Sequence, residues 1–514
     1  MNLVEIIDHY ASVCPDRIVH SYRGSSLTYL QLKERSDALA SYLIDTYGED
    51  KTPIVVFGHK QHEMLICFLA CVKSGHAYIP IDESLPVQRI RDIIESSRTK
   101  LVLEVSGLGS ETAEGEFHVL SGNEMNSRIE GYLGKKPSVE SQVQKEETYY
   151  IIYTSGSTGK PKGVQITLSN LESFVGWGLG LCSLAGTGEV FLNQAPFSFD
   201  LSVMDLYLAL ASGSTLYSID KTMIANPKEL FAFFRQSGVS VWVSTPSFAE
   251  MCLADSGFNE ELLPALKVLL FCGETLSNNC ARKLYQRFSD VKVINSYGPT
   301  EATVAVTALH VDREMCEIIE PLPVGYVKND CRILIVDPEG VPVAEGDRGE
   351  IVIAGESVSP GYYRNQEMTA KAFSIRTIDW TGHSKTVRTY RTGDEGYLKE
   401  GLLYYSGRID FQIKLNGFRI ELEDIENNLR KLEFIENAVV LPIRKEDKVQ
   451  YLTAVAVLNR KLEQKEFETV LFIKNELKKY LPEYMIPRKI VLRESIPMTV
   501  NGKINRAKLL EEIK

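Results

Sequence analysis

The stretch Thr154-Ser155-Gly156-Ser157-Thr158-Gly159-Lys160-Pro161-Lys162-Gly163 gathers hydroxyls, glycines and lysines in one short run. Glycines let a backbone approach a phosphate closely, because no Cβ intervenes. Hydroxyl and amide hydrogens donate to phosphate oxygens, and lysines add positive charge. The chemistry open to such a run is to hold a polyphosphate. It is not a Walker A loop, which needs Gly-x-x-x-x-Gly-Lys-Ser/Thr; Pro161 falls where the second glycine belongs, and Lys160 is followed by proline. The flanks differ as well. Tyr149 to Tyr153 reads as a buried strand and Val164 to Thr167 as another, with a helix starting only later, where Ser169 and Glu172 stand at capping-box spacing. The loop is expected to join two strands.

Other polar clusters follow apolar runs. Cys272-Gly273-Glu274 follows Leu266 to Phe271, and Asn295-Ser296-Tyr297-Gly298-Pro299-Thr300-Glu301 follows Val291 to Ile294. Continuous apolar runs separated by helical segments indicate a parallel sheet covered on both faces. Ligands bind such sheets beyond the carboxyl ends of the strands, so both clusters should face one crevice. Downstream, Asp394 in Tyr390-Arg391-Thr392-Gly393-Asp394 offers a carboxylate able to accept hydrogen bonds from two hydroxyls. Asn501-Gly502 is a tight-turn signal that would present Lys503 on a loop tip.

Taken in order, these motifs resemble the adenylate-forming superfamily of acyl-CoA synthetases, luciferases and amino-acid adenylation domains. The resemblance implies ATP and Mg²⁺ as cofactors and assigns the roles of individual residues. Thr154, Ser155, Gly156, Ser157, Thr158, Gly159 and Lys160 would hold the β- and γ-phosphates. Asn295, Ser296, Tyr297, Gly298, Pro299 and Thr300 would form the adenine segment, with Tyr297 stacking on the base and Asn295 reading its edge. Glu301 would serve the metal. Asp394 would bind the ribose, and Tyr405, Ser406, Gly407 and Arg408 would complete the nucleotide site. Asp410 would be a hinge pivot, Gly417 would lie beside the path of an incoming thiol, and Lys503 would be the catalytic lysine.

Phe197-Ser198-Phe199-Asp200-Leu201-Ser202-Val203 bears on the acid activated. Family members that use amino acids carry an aspartate here to pair with the α-ammonium. Asp200 fits, and a fatty or aryl acid would leave its carboxylate unpaired. The segments Asn193 to Asp205, Ser244 to Phe248, Phe271 to Glu274 and Tyr484 to Arg488 resemble the branch of the family that activates D-alanine for teichoic acid D-alanylation. By that resemblance Cys272 borders the substrate methyl group, Val304 lies near the amino acid, and the acceptor is a phosphopantetheinylated D-alanyl carrier protein. Asp255-Ser256 lacks the preceding glycine and following leucine of a phosphopantetheine site, so the carrier is expected in trans. The alternatives are an adenylation enzyme for another small amino acid in peptide synthesis, a coenzyme A ligase, which Asp200 disfavours, and a non-catalytic nucleotide-binding regulator. Retention of Lys503, Glu301, Asp394 and Asp200 together argues against the regulator.

Composition sets the frame. At 514 residues, with 44% hydrophobic and 24% charged residues, the chain should form more than one domain. The expected arrangement is α/β. A large N-terminal domain of covered mixed or parallel sheets spans 1–406, with a small β-rich subdomain over about 331–405. A hinge at 407–411 leads to a small mobile α+β domain at 412–514. The formal net charge of -11 argues against general nucleic-acid binding. No apolar run reaches the roughly 18 residues that would span a bilayer, so no membrane insertion is expected, and Met1-Asn2-Leu3-Val4-Glu5 does not open a signal peptide. The nine cysteines are scattered, and Cys67 and Cys71 fall on an apolar helix face as small buried hydrophobes. This usage fits a reducing, cytoplasmic setting. His59 and His62 beside Glu63 form neither zinc motif, HExxH or HxxEH, so no zinc site is expected there.

Overall fold

The computed structural model describes residues 2–109, 112, 115–156, 160–182, 188–380, 382–445, 448–460, 465–497 and 504–513. The chain divides into two compact units. One comprises Met1–Glu83, Ser97–Tyr153 and Gly163–Ile409, the other Ser84–Ser96, Thr154–Lys162 and Asp410–Lys514.

In the first unit the apolar runs become two large sheets. The nine-stranded sheet runs, in spatial order, Tyr326–Val327, Thr307–Val311, Lys292–Tyr297, Val268–Phe271, Val241–Ser244, Val190–Asn193, Thr215–Ser218, Ile18–Tyr22 and Ser25–Thr28. Its interior, from Lys292–Tyr297 to Ile18–Tyr22, is parallel, and antiparallel strands close both edges. Every residue of Val241–Ser244 and Val268–Phe271 is buried, as strands covered on both faces require. The register then sets the crevice. Phe271 pairs with both Ser244 and Asn295, and Asn193 pairs with Val243. The chain segments that leave these strands, toward Asp200, Cys272 and Gly298, therefore emerge at one edge of the sheet.

The six-stranded sheet runs His118–Leu120, Leu101–Glu104, Ile54–Gly58, Tyr78–Asp82, Thr148–Thr154 and Lys162–Thr167. The phosphate-loop run does join two strands. The helix after it, Leu168–Cys182, starts earlier than Ser169 and Glu172 suggest. Thr167 caps it: the Asn170 amide nitrogen donates to Thr167 Oγ1 at 3.2 Å, and the Thr167 amide donates to Asn170 Oδ1 at 3.1 Å. Glu172 instead accepts from the Leu3 amide at 3.1 Å.

A five-stranded antiparallel sheet spans Cys331–Val336 to Leu402–Arg408. Thr392-Gly393-Asp394, which alone reads as a turn, lies inside the long strand His383–Lys399. The register jumps there from Glu350–Glu395 to Val352–Arg391, and Gly393 has φ 69°. The motif is thus a bulge, a device that aims a side chain out of the ladder.

In the second unit the strands Ile435–Lys445, Lys448–Leu458 and Lys489–Arg493 form a sheet. It shares the unit with the helices Leu422–Arg430, Glu466–Leu477 and Arg506–Ile513. The hairpin Gln412–Leu415/Phe418–Glu421 turns on Asn416 and Gly417, with φ 52° and 83°, the positive angles that favour Asn-Gly. All nine cysteines are free thiols, and Cys67 and Cys71 are fully buried. Among the described residues no helix is long and apolar enough to cross a membrane, and no group of three or more His, Cys, Asp or Glu could hold a metal ion.

Candidate active site

The segment Asn295–Glu301 is the hub of the first unit's site. Asn295 ends up buried, its Nδ2 donating to the Pro323 carbonyl at 2.8 Å while its Oδ1 has no hydrogen-bond partner among the described residues. A buried acceptor left unpaired is costly, and the exocyclic amine of a purine is a donor that would satisfy it. Ser296 Oγ donates to the Phe271 carbonyl at 2.8 Å, tying the hub to the strand that leads to Cys272. Tyr297 Oη donates to Asp394 Oδ2 at 2.6 Å, and its ring lies 6.1 Å from that of Tyr405. Burial, then the neighbouring Asp394 carboxylate, pushes the Tyr297 hydroxyl well above its ordinary pKa, so it stays a donor.

Asp394 is buried and anchored on both oxygens, since Arg408 Nη1 reaches Oδ1 at 2.7 Å. Each carboxylate oxygen keeps a second lone pair for a hydroxyl. Arg408 and Asp394 meet because the strand Leu402–Arg408 pairs Arg408 with Asp394. Tyr405, Ser406 and Gly407 lie on that same strand.

Thr300 donates its hydroxyl to Asp200 Oδ2 at 2.6 Å. Asp200 precedes the helix Leu201–Ala211 yet makes no capping hydrogen bond, and its backbone is already helical at φ -63°, ψ -25°. Its carboxylate is therefore not consumed by helix termination. Sequence reasoning missed Tyr150, whose buried hydroxyl has no hydrogen-bond partner among the described residues. Burial, then Tyr78 and the Asp200 charge, pushes that hydroxyl well up. Tyr362 was missed too: its hydroxyl donates to Glu301 Oε1 at 2.8 Å, and Glu301 is fully buried. A buried carboxylate of this kind is a donor suited to a hard cation.

Cys272 is buried, its Sγ 3.6 Å from the Val304 carbonyl. Thr303 and Val304 adopt φ 57° and 68°, a left-handed pair rare for β-branched residues and held by the packing around them. Gly298 fits under this turn, where a Cβ would meet Ala305 Cα at 2.5 Å and the Val304 carbonyl oxygen at 2.8 Å.

In the second unit Ser155 Oγ donates to the Arg419 carbonyl at 2.9 Å, and Thr154 Oγ1 is buried without a partner among the described residues. A Cβ on Gly156 would sit 2.3 Å from the Lys160 carbonyl oxygen, so a larger residue there would force the backbone to move. Asp410 is exposed and accepts from the Gln412 amide at 3.0 Å. Ser157, Thr158, Gly159 and Lys503 lie outside the described residues.

Residues 7–363 match the AMP-binding enzyme family, and residues 424–503 match the AMP-binding enzyme C-terminal domain. Relatives named D-alanine--D-alanyl carrier protein ligase include one from Bacillus cereus strain G9842, 50% identical, and one from strain Q1, 51% identical, each over 513 residues covering 100% of both chains. One from Bacillus thuringiensis strain Al Hakam is 50% identical with the same coverage. Among solved structures, an o-succinylbenzoate CoA synthetase from Bacillus subtilis superposes with TM-score 0.83 at 19% identity, covering 98% of each chain. A Vibrio cholerae adenylation domain in complex with glycyl-adenosine-5'-phosphate superposes with TM-score 0.79 at 22% identity, covering 99% of this chain and 97% of that one.

Gly298→Ala is expected to cost about 1–3 kcal/mol, because backbone must move to admit the methyl group. Gly180→Ala is the control, since nothing lies within 4 Å of a Cβ there. Thermal melts of the two variants should diverge, with G298A falling and G180A holding or rising.

Proposed function

The chain belongs to the AMP-binding enzymes, and from that premise we propose that it is an ATP-dependent ligase that activates D-alanine and loads it onto a separate D-alanyl carrier protein. The observation that carries this reading is the end-to-end match, 50–51% identity along 100% of both chains, to ligases named for that reaction. In the first half-reaction the D-alanine carboxylate attacks the α-phosphorus of ATP. A carboxylate–phosphorus bond forms, and pyrophosphate leaves with the bonding pair. In the second, the carrier's phosphopantetheine thiol attacks the adenylate carbonyl, a thioester forms, AMP leaves and the thiol proton passes to solvent. Catalysis is chiefly positioning and charge stabilisation. Teichoic acid D-alanylation is the pathway we assign, and the cytoplasm is the compartment, in keeping with nine free thiols.

We assign Asp394 with Arg408 to the ribose, the unpaired Oδ1 of Asn295 to the adenine amine, and Thr154 to Lys160 to the phosphates. Tyr297 then holds Asp394 in place by its hydroxyl. When bound, Mg²⁺ supplies neutralisation of phosphate charge, and Glu301 is the residue that would hold it. Lys503 would offset charge on the α-phosphate and the substrate carboxylate, and Asp410 would be the pivot on which Lys503 leaves after adenylation.

ATP–pyrophosphate exchange with D-alanine, L-alanine, glycine and larger amino acids tests the reading, with coenzyme A and holo-carrier compared as acceptors. D-Alanine should give the highest kcat/KM, and the carrier should be the acceptor used. Preference for another amino acid would move the chain to the peptide-synthesis alternative, and no exchange at all would favour the regulator.

Asp200→Ala should raise the D-alanine KM by about 10²-fold or more, the scale of one buried charge pair, and leave ATP affinity nearly intact. Collapse of ATP binding with D-alanine affinity preserved would contradict the assignment. Lys503→Ala should slow adenylation by on the order of 10²-fold or more, the scale of losing one electrostatic donor, while transfer from preformed adenylate survives. Cys272 tests handedness. With ammonium and carboxylate both held, the methyl and hydrogen of alanine exchange places between enantiomers. Cys272→Ala should open space and shift the D/L ratio toward L-alanine by about 1–3 kcal/mol. An unchanged ratio in a stable variant would leave Cys272 as core.

A further inference from the structure

Behind the segment that carries Asp200 lies a buried polar network that the reaction outlined above does not use. Lys60 is fully buried, just beyond the strand Ile54–Gly58. Its ammonium donates to Asn193 Oδ1 at 2.5 Å and to the Ala195 carbonyl oxygen. It also stands 4.5 Å from the centroid of the Phe197 ring. Asn193 passes the contact on, because its Nδ2 donates to Asp205 Oδ1 at 2.8 Å. Asp205 is fully buried on the helix Leu201–Ala211, and its Oδ2 has no hydrogen-bond partner among the described residues.

The cost of this arrangement is visible in its ionisation. Burial pushes the Lys60 ammonium down to about 8, against the pull of Asp205, Asp82 and Asp220. Burial likewise raises Asp205 well above the usual carboxylate range, against the pull of Lys60 and the Asn193 hydrogen bond. Asp82 is engaged by His59 at 2.6 Å and Asp220 by Arg23 at 2.7 Å. Ser218 Oγ donates to Asn193 Oδ1 at 2.7 Å and meets His20 Nε2 at 2.9 Å. Its location is informative. Asp200 falls between the two stretches the network grips: Asn193, Ala195 and Phe197 before it, Asp205 after it. The intervening backbone is a turn, Phe199 donating to the Pro196 carbonyl at 2.9 Å and Ser202 to the Phe199 carbonyl at 3.0 Å, so a shift at Ala195 is carried to Asp200.

We propose that Lys60 is a positioning residue for amino-acid recognition, clamping the Asn193–Phe197 segment so that the Asp200 carboxylate is held ready for the substrate ammonium. This rests on the reading of Asp200 as the ammonium partner. Removing one buried charge strands the other, so Lys60→Met alone will destabilise the fold whatever its role. The informative variant is the double one, Lys60→Met with Asp205→Asn, which removes both charges and leaves the Asn193 amide a neutral neighbour.

Both readouts should be taken on the folded double variant, with melting close to wild type as the check. In pyrophosphate exchange the D-alanine KM should rise by on the order of 10-fold while the ATP KM stays within about 2-fold; that rise is about 1.4 kcal/mol of lost ground-state binding. In hydrogen–deuterium exchange the amides of residues 197–202 should lose protection, while those of Val241–Ser244 do not. A D-alanine KM and an amide protection both equal to wild type would overturn the proposal and leave Lys60 and Asp205 as a mutually compensating structural pair. If the wild-type enzyme gives no D-alanine exchange, the functional reading fails while the clamp is still judged by amide protection. A double variant that does not fold is replaced by Lys60→Arg. There a retained bond to Ala195 predicts near-normal protection, and loss of protection with normal D-alanine KM contradicts the clamp.

Discussion

The close approach of Gly298 to Ala305 is the constraint on which the first unit's site depends. A glycine is required because the left-handed turn at Thr303 and Val304 folds back over it, leaving no space for a Cβ. With that contact made, the residues on either side of Gly298 are aimed apart. Tyr297 reaches Asp394 in the β-rich subdomain, Thr300 reaches Asp200 before its helix, and Glu301 reaches Tyr362. One short segment thus contacts two carboxylates from distant parts of the chain, Asp394 and Asp200, and contributes a third, Glu301. The strained turn also brings the Val304 carbonyl to Cys272, so the same constraint shapes the wall on which the choice between enantiomers is proposed to rest.

The carboxylates are held by neutral donors and one arginine; Asp394 and Glu301 are buried and Asp200 is half-buried, so solvent screens them weakly. That arrangement favours charged or strongly dipolar groups on a ligand and penalises apolar acids. Asn295 Oδ1 and Tyr150 Oη are each buried without a hydrogen-bond partner among the described residues, a cost a folded protein tolerates chiefly where a ligand removes it.

Much of this was legible in the sequence. The parallel sheet and the crevice at its carboxyl edge followed from unbroken apolar runs such as Val241 to Ser244, since strands covered on both faces carry few polar residues. The loop between two strands was legible because Val164 to Thr167, directly after it, reads as a strand. The family's motifs then located Asp200, Asp394 and Glu301. What was not legible depends on partners distant in sequence. Thr392-Gly393-Asp394 looks like a turn because a bulge and a turn share residue types, and only pairing with Glu350 to Val352 distinguishes them. The helix start at Thr167 was misread because Ser169 and Glu172 imitate a capping box. Tyr150, Tyr362 and Lys60 carry no local signal, since each is an ordinary residue until the fold places it beside Asp200's charge, Glu301 or Ala195.

The hub and the bulge are proposed to prepare one set of carboxylates and acceptors for an aminoacyl nucleotide. The most direct test is a crystal structure of the protein with a non-hydrolysable D-alanyl-adenylate analogue. The analogue's ammonium is expected within hydrogen-bond distance of Asp200, its ribose hydroxyls on Asp394, and its adenine amine on Asn295 Oδ1. An analogue bound with its ammonium away from Asp200, or with its base remote from Asn295, would contradict it.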